Sequence, residues 1–409
     1  MTGKCPVDIA IPLAVDPPMF PIHRLARDLL GTAYLLVQVL TVPGRAAEPV
    51  EVRTERVPEG GLQPVVMTGG GMVHLVYLTG DPKAADIHEV QRKVGGGAWS
   101  SPRTVNSEPG AAVALGSVRG PRLALGGGGI RHVLWNGSSK IRQTASGSAP
   151  LLYSRSRPGE GGFEVQRALG EDTRHLDGGG AVAADGKGTV WVVWHAALPT
   201  PPPGGDDETH RGVFLRDSHD EGATFGPSRR IDPPGMGVCA CCGLDAGIGP
   251  DGSGWVLVRG AAGRSERGMR LLTTQAGARG FTIQKMDSWP LDQCPLSTCR
   301  LVQASDGPSA VWISKGRVQW ASLGSPDRSQ TLSESGKSAN HPVWVPLGRT
   351  GSAVVAWTEG TGWQRGGGLA WSTLRSGTLD PNIQRLPGVP VWGAVAGWAE
   401  SDNVVTLLY

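Results

Sequence analysis

Phenylalanine and tyrosine are scarce in this sequence: Phe 5 and Tyr 4, against Trp 14, in 409 residues. Net charge is also low, +3 at pH 7, and no basic stripe gathers along the chain, so no nucleic-acid partner is expected. No glycine recurs at every third place, which excludes a collagen despite Gly 62 and Pro 32. Apolar β-formers recur throughout, which excludes a disordered chain. The apolar run Leu29–Val42 is too short for a comfortable transmembrane helix. What remains is an all-β pattern of many short strands punctuated by glycine and proline, with tryptophan as its main large aromatic.

The amino terminus has the order of a secretion signal. His23–Asp28 is basic, Leu29–Val42 is apolar, and Pro43–Ala47 supplies small residues, with Gly44 and Ala46 fitting cleavage after Ala46. Met19 stands just before this segment and is the expected true start. Residues 1–47 therefore read as an extension plus signal peptide and 48–409 as one domain. The expected location is secreted or periplasmic, with no stable membrane span after cleavage and a monomeric chain.

Seven glycine-led alternating runs follow, often ending at Trp, Tyr or His: Gly71–Thr79, Gly129–Asn136, Gly188–His195, Gly254–Arg259, Gly307–Ser314, Gly351–Thr358 and Asp402–Tyr409. Their starts lie about 45–65 residues apart, the period of propeller blades. Each blade cannot bury its own faces, so neighbours must stack around an axis. The fold expected is a β-propeller of four-stranded blades, seven by this count, with six as the alternative. The last pair of strands, within Val391–Tyr409, lacks outer strands. Val50–Val57 is placed to complete that blade and tie the ends of the ring together.

One repeat reads in full. Gly179–Ala184 is its inner strand A, Thr189–His195 strand B, Gly212–Asp217 strand C and Pro227–Ile231 the outer strand D. Between C and D stand Ser218, Asp220, Gly222, Thr224 and Phe225, spaced as S-x-D-x-G-x-T-[FW], the Asp box. The spacing suits a tight hairpin: the Asp accepts backbone N–H bonds, the Gly takes positive φ, and the aromatic anchors between strands. Degraded copies that keep the glycine and aromatic end at Trp99, Phe163 and Phe281.

The Asp box and the blade spacing resemble the sialidase superfamily. The chain is more closely similar to exported bacterial sialidase-like proteins of the BNR (Asp-box) repeat type, through Arg119–Ala124 (RGPRLA), Leu176–Ala196, Gly237–Gly243 (GVCACCG) and Trp289–Pro295 (WPLDQCP). The likeness covers most of Gln63–Tyr409. It implies an exo-glycosidase acting on a glycan or glycoconjugate, with three arginines on a sugar carboxylate, a tyrosine nucleophile paired with glutamate, and an aspartate acid/base. The chain departs from that pattern. It has no early Arg-Ile-Pro signature, and its tyrosines are Tyr34, Tyr77, Tyr153 and Tyr409, none of which forms a recognisable Tyr–Glu pair.

Propeller topology sorts the remaining residues. C-to-D turns lie on one face, so the Asp box is structural. D-to-A and B-to-C connections open on the other face, the mouth. There the sequence places Arg119, Arg211 and Arg259 as candidate anion-binding arginines, with Asn136 beside them. Asp177, followed by three glycines, is the candidate general acid/base, and Glu208 and His195 are further candidate catalytic groups. Cys239, Cys241, Cys242, Cys294 and Cys299 remain after signal removal. A bridge from one of the first three to Cys294 is expected, and the odd count leaves a thiol over. The rival reading is a thiolate metal site on Cys239, Cys241, Cys242 and Cys294, suited to copper(I) or zinc with His195 as an extra ligand; no other cofactor is expected. Three functions follow: a glycan-acting hydrolase at the mouth, a non-catalytic propeller binding glycan or protein with Trp363 or Trp392 as platforms, and a metal or thiol protein.

Overall fold

A near-continuous apolar run along the second strand of most repeats decides the architecture. A strand whose two faces are both apolar must be covered on both sides, and a ring of radial sheets does this. The computed structural model describes residues 49–157, 162–198, 200, 203, 208–263, 265–304, 307–334, 336–348, 351–375 and 377–409. The signal segment and the Met19 start lie outside these residues. Seven sheets form a β-propeller within the unit Glu48–Tyr409.

Blade 1 runs from Leu62 to Thr104, blade 2 from Arg122 to Ala168, blade 3 from Gly180 to Arg230, blade 4 from Asp245 to Lys285 and blade 5 from Cys299 to Thr331, each with four antiparallel strands in sequence order. Blade 6, Ala339–Val389, carries a fifth strand, Gln384–Val389, on its third. Blade 7 pairs Ala396–Ser401 with Val404–Leu408, and Glu51–Glu55 joins the latter in parallel register. The closure expected from Val50–Val57 is therefore present, shorter by a few residues. Each inner strand touches the next, and the last, Ala396–Ser401, touches the first, Leu62–Gly69, so the ring is closed. In the fully read repeat, strand D shrinks from the expected Pro227–Ile231 to Arg229–Arg230.

Seven apolar clusters fill the seven spaces between blades. Period-2 alternation explains how one strand serves two of them. Val133 and Trp135 face blade 1, while Leu134 between them faces blade 3. The tryptophans largely serve this packing: Trp135, Trp194, Trp312 and Trp357 occupy equivalent places in four second strands and are fully buried. Removing any one of them would cost about 3–5 kcal/mol. The same latch that holds Glu51–Glu55 also spans the seam. Arg92 of blade 1 bonds Glu55 at 3.0 Å and Glu400 at 2.7 Å, with its guanidinium 4.6 Å from the Trp99 ring and 4.8 Å from that of Trp398.

Candidate functional site

The Asp box lies where the topology predicts, in the turn after Arg211–Ser218. Asp220 accepts hydrogen bonds from the Ser218 hydroxyl at 2.7 Å, the Thr224 amide at 2.9 Å and the Thr224 hydroxyl at 2.6 Å. These donors, those of Thr224 foremost, hold its carboxyl well below the usual range. Gly222 has φ +71°, and Phe225 packs edge-on to Tyr153 of blade 2. The neighbouring Glu221 accepts from the Gly127 amide at 2.8 Å and meets buried His132 at 3.3 Å. The box clamps blade 3 to blade 2 and faces away from the mouth.

On the mouth, three connections meet around Asp177. Arg119, from the link between blades 1 and 2, ion-pairs with the Asp177 carboxylate and donates Nε–H to its carbonyl at 2.9 Å. Asn136, at the end of a second strand, donates to the same carbonyl at 3.2 Å, and its buried Oδ1 has no partner among the described residues. The glycines after Asp177 are required by contact: a Cβ on Gly178 would collide with the Cys242 carbonyl and the His195 ring. Arg119 and Asn136, with Lys83, Leu115 and Leu176, line a pocket of about 320 Å³. Trp363 borders this region. It is 53% exposed, and a Cβ on Gly116 would lie 3.0 Å from its ring. Trp392, the other platform named from the sequence, is half-buried.

The remaining candidates are near but turned inward. His195 is fully buried; its Nε2 donates to the Cys242 carbonyl at 2.9 Å and Arg211 approaches its Nδ1 at 3.4 Å. Burial, with the Arg211 charge, pushes its pKa down to about 3, so the ring is neutral near pH 7. Arg211 also donates to the His175 carbonyl at 2.8 Å. Arg259 is buried against Ser297 Oγ at 2.6 Å and the Arg267 carbonyl at 2.5 Å. Glu208 pairs with Arg267 and accepts the Ala240 amide at 2.7 Å. The structure thus lines one pocket with Arg119 and Asn136, holds Asp177 against both of them, sets His195 behind Gly178, and commits Arg211, Arg259 and Glu208 to holding the mouth connections.

A second polar group spans the axis. The link between blades 1 and 2 crosses the axis: Gln63 donates to the Ala114 carbonyl at 2.5 Å and accepts from the Gly120 amide at 2.9 Å, while His341 meets Ser117 at 2.9 Å. Beneath it, an axial cavity of about 490 Å³ runs between the seven inner strands, with Arg122, Asp245 and Arg300 at its head. Burial lowers Arg122 to about 10, raises the Asp245 carboxyl and lowers His341 to about 3. The signal that would have found Arg122, Asp245 and Arg300 is positional: a charged residue at or beside the first residue of an inner strand, where an apolar one is expected.

Among the cysteines, Cys241 and Cys294 are joined. Cys239, Cys242 and Cys299 keep thiols, three where the odd count suggested one. Cys299 is separate, its thiol directed at the Gly243 and Leu257 carbonyls.

No protein-family model matches the chain, and no curated protein matches it significantly. Solved structures do. A protein of unknown function from Dyadobacter fermentans aligns with TM-score 0.50 and 17% identity, over 80% of this chain and 97% of its own. The GH93 α-L-arabinofuranosidase of Fusarium graminearum, in complex with arabinobiose, aligns with TM-score 0.50 and 8% identity, over 76% and 91%. The sialidase of Trypanosoma rangeli, in complex with sialic acid, gives TM-score 0.49 and 11% identity, over 80% and 56%. At these identities the first two establish a shared propeller fold.

Proposed function

We propose that this chain is an exported, glycan-acting propeller that takes a terminal sugar in the mouth pocket lined by Arg119 and Asn136, with Asp177 ion-paired to Arg119. The observation that carries this reading is the pocket itself. Arg119, ion-paired with Asp177, and Asn136, whose buried amide oxygen has no partner among the described residues, line a concavity of about 320 Å³, and the exposed Trp363 indole lies against Gly116 beside the lining residue Leu115. Sugars are recognised by planar polar groups that bond vicinal hydroxyls and by an aromatic face that stacks on C–H groups; Arg119, Asp177 and Asn136 supply the first and Trp363 the second. The finer form of the reading is exo-glycosidase chemistry, with Asp177 as general acid/base. The fold is shared with an arabinofuranosidase, which fits this form.

A second reading, glycan binding without turnover, is favoured by one specific feature. Glycoside hydrolysis ordinarily needs two carboxyl groups across the scissile bond. Glu208 is engaged by Arg267 and the Ala240 amide, which leaves Asp177 as the one carboxylate among the described residues that meets the pocket's polar groups. The test is a glycan panel, scored for binding and for sugar release, with wild type, Asp177→Ala and Trp363→Ala. Release abolished by Asp177→Ala supports the hydrolase. Binding weakened in both variants without release supports the binding propeller. Absence of binding to any glycan refutes both.

A further inference from the structure

Two mouth connections bring four sulfurs together. Cys239, Cys241 and Cys242 stand between blades 3 and 4, and Cys294 between blades 4 and 5. Cys239 Sγ lies 3.0 Å from Cys242 Sγ and 3.7 Å from Cys294 Sγ. The sulfurs of Cys239, Cys241 and Cys294 are all within 4.8 Å of one another. A tetrahedral zinc thiolate with bonds of about 2.3 Å has sulfur–sulfur edges of about 3.8 Å. The Cys239–Cys294 edge already has that length; Cys242 lies closer to Cys239 and outside the group of three, and Cys241 and Cys294 separate when their bond is reduced.

The fold, and not only the sulfur–sulfur bond, imposes this arrangement. The Cys239 amide donates to the Arg259 carbonyl at 3.0 Å, and the Gly243 amide to the Ser297 carbonyl at 3.0 Å, which ties the two connections together independently of sulfur. Donors also point at the sulfurs: the Leu296 amide at Cys294 Sγ, 3.4 Å, and the Ser297 hydroxyl at Cys242 Sγ, 3.5 Å. Such bonds orient thiolates bound to metal.

The independent observation is Arg259. This guanidinium is 0% exposed, yet its acceptors are the Ser297 hydroxyl and the carbonyls of Arg267 and Ile313, all uncharged. No carboxylate pairs with it among the described residues. A buried cation without a counter-charge is costly. Ser297 Oγ bridges it to Cys242 Sγ, so the missing negative charge belongs on the sulfur cluster. Four thiolates around one divalent d10 ion carry two net negative charges, which supplies it.

We propose that Cys239, Cys241, Cys242 and Cys294, with the Cys241–Cys294 bond reduced, hold one zinc(II) ion as a closed tetrathiolate site that staples the two connections. A dithiol reductant breaks the Cys241–Cys294 bond, leaves as its own cyclic disulfide and yields two thiols; zinc(II) then displaces the four thiol protons to solvent. The site lies beside Gly178, so it braces the wall behind Asp177.

The test uses the whole chain, reduced with dithiothreitol under anaerobic conditions, loaded with zinc(II) and dialysed. Elemental analysis should read about one zinc per chain, and cobalt(II) substitution should give the intense absorption of a tetrahedral thiolate. Cys239→Ser and Cys294→Ser should each weaken zinc binding at least about tenfold, about 1.4 kcal/mol. Cys299→Ser, outside the cluster, should bind as wild type. Circular dichroism confirms that each variant is folded. Reduced, folded wild type that retains no zinc overturns the proposal, as does full zinc affinity in Cys239→Ser. Exclusive uptake of copper(I) when both ions are offered also overturns the zinc assignment.

Discussion

The ring should be opened most easily at its seam, by Arg92→Met. Arg92 joins blade 1, the closing strand and blade 7. It bonds Glu55 and Glu400 and lies between the Trp99 and Trp398 rings. The methionine keeps most of the apolar stem between the rings, so the perturbation is mainly the charge. Glu400 has a side chain only 4% exposed and would lose its charged partner, keeping neutral donors such as the Gly95 amide and the Thr406 hydroxyl. Stranding a buried charge in this way costs about 3–5 kcal/mol. The Glu55 contact, one-third exposed, adds at most about 1 kcal/mol, and the lost cation–π contacts about 0.5–2 kcal/mol, with some overlap among the three. A loss of about 4 kcal/mol is therefore expected in urea unfolding followed by tryptophan fluorescence. Hydrogen exchange at Glu51–Glu55 should accelerate more than at the blade 3 strands. Adding Glu400→Gln to Arg92→Met should restore about 1–2 kcal/mol, because it removes the stranded charge. Arg53, exposed on the same closing strand, is the silent control. A loss below about 1 kcal/mol, or no recovery on adding Glu400→Gln, would refute the latch.

Other outcomes follow from the same geometry. His195 and His341 have folded pKa values pushed down to about 3 by burial, against about 6.5 unfolded, so the unfolded chain binds more protons between those values. Stability is full above pH 6.5 and should fall with acid by up to about 1.4 kcal/mol per pH unit for each histidine; a melting temperature that stays flat from pH 7 to pH 5 contradicts this. Gly222→Ala combines positive φ with a collision of its Cβ with the Tyr153 hydroxyl, and should destabilise by about 2–4 kcal/mol in chemical denaturation. Asp220→Ala, which removes hydrogen bonds at an exposed turn, should lose less, and the reverse order would mean that the Asp box is not a packing clamp. Trp363→Ala should leave stability within about 0.5 kcal/mol while weakening glycan binding about tenfold by calorimetry; unchanged affinity would remove the platform from the site.

The fold was legible where a strand is buried on both faces. Val190–Ala197 and Ala353–Glu359 read as apolar runs because each faces two neighbouring blades, and their tryptophans mark the depth of that packing. The closing strand was legible because Glu51–Glu55 still alternates. The outer strands were not: Arg229–Arg230 pairs through only two residues, too few for a period to show. The fifth strand of blade 6, Gln384–Val389, contains Pro387 and Gly388 and is mostly exposed, so nothing in its pattern separates it from a loop.

The site was legible to the extent that glycine reports contact. Three glycines after Asp177 mark a backbone pressed against something, and the structure finds the Cys242 carbonyl and the His195 ring there. Charge was harder to read. Arg119 and Arg259 both stand at mouth positions and look alike in sequence, but one reaches a carboxylate at the pocket and the other three neutral acceptors in the interior. The difference lies in backbone carbonyls contributed by other blades, which no local pattern reveals. Arg259 and the cysteines also carry the same information twice. The sequence shows four thiols converging on two adjacent connections; the structure adds a buried cation one hydroxyl away from them, with no carboxylate among the described residues to balance it. A thiol cluster alone fits a disulfide as well as a metal. A thiol cluster beside an uncompensated guanidinium asks for negative charge on sulfur, and thiolates bound to a metal ion supply that charge where a disulfide does not.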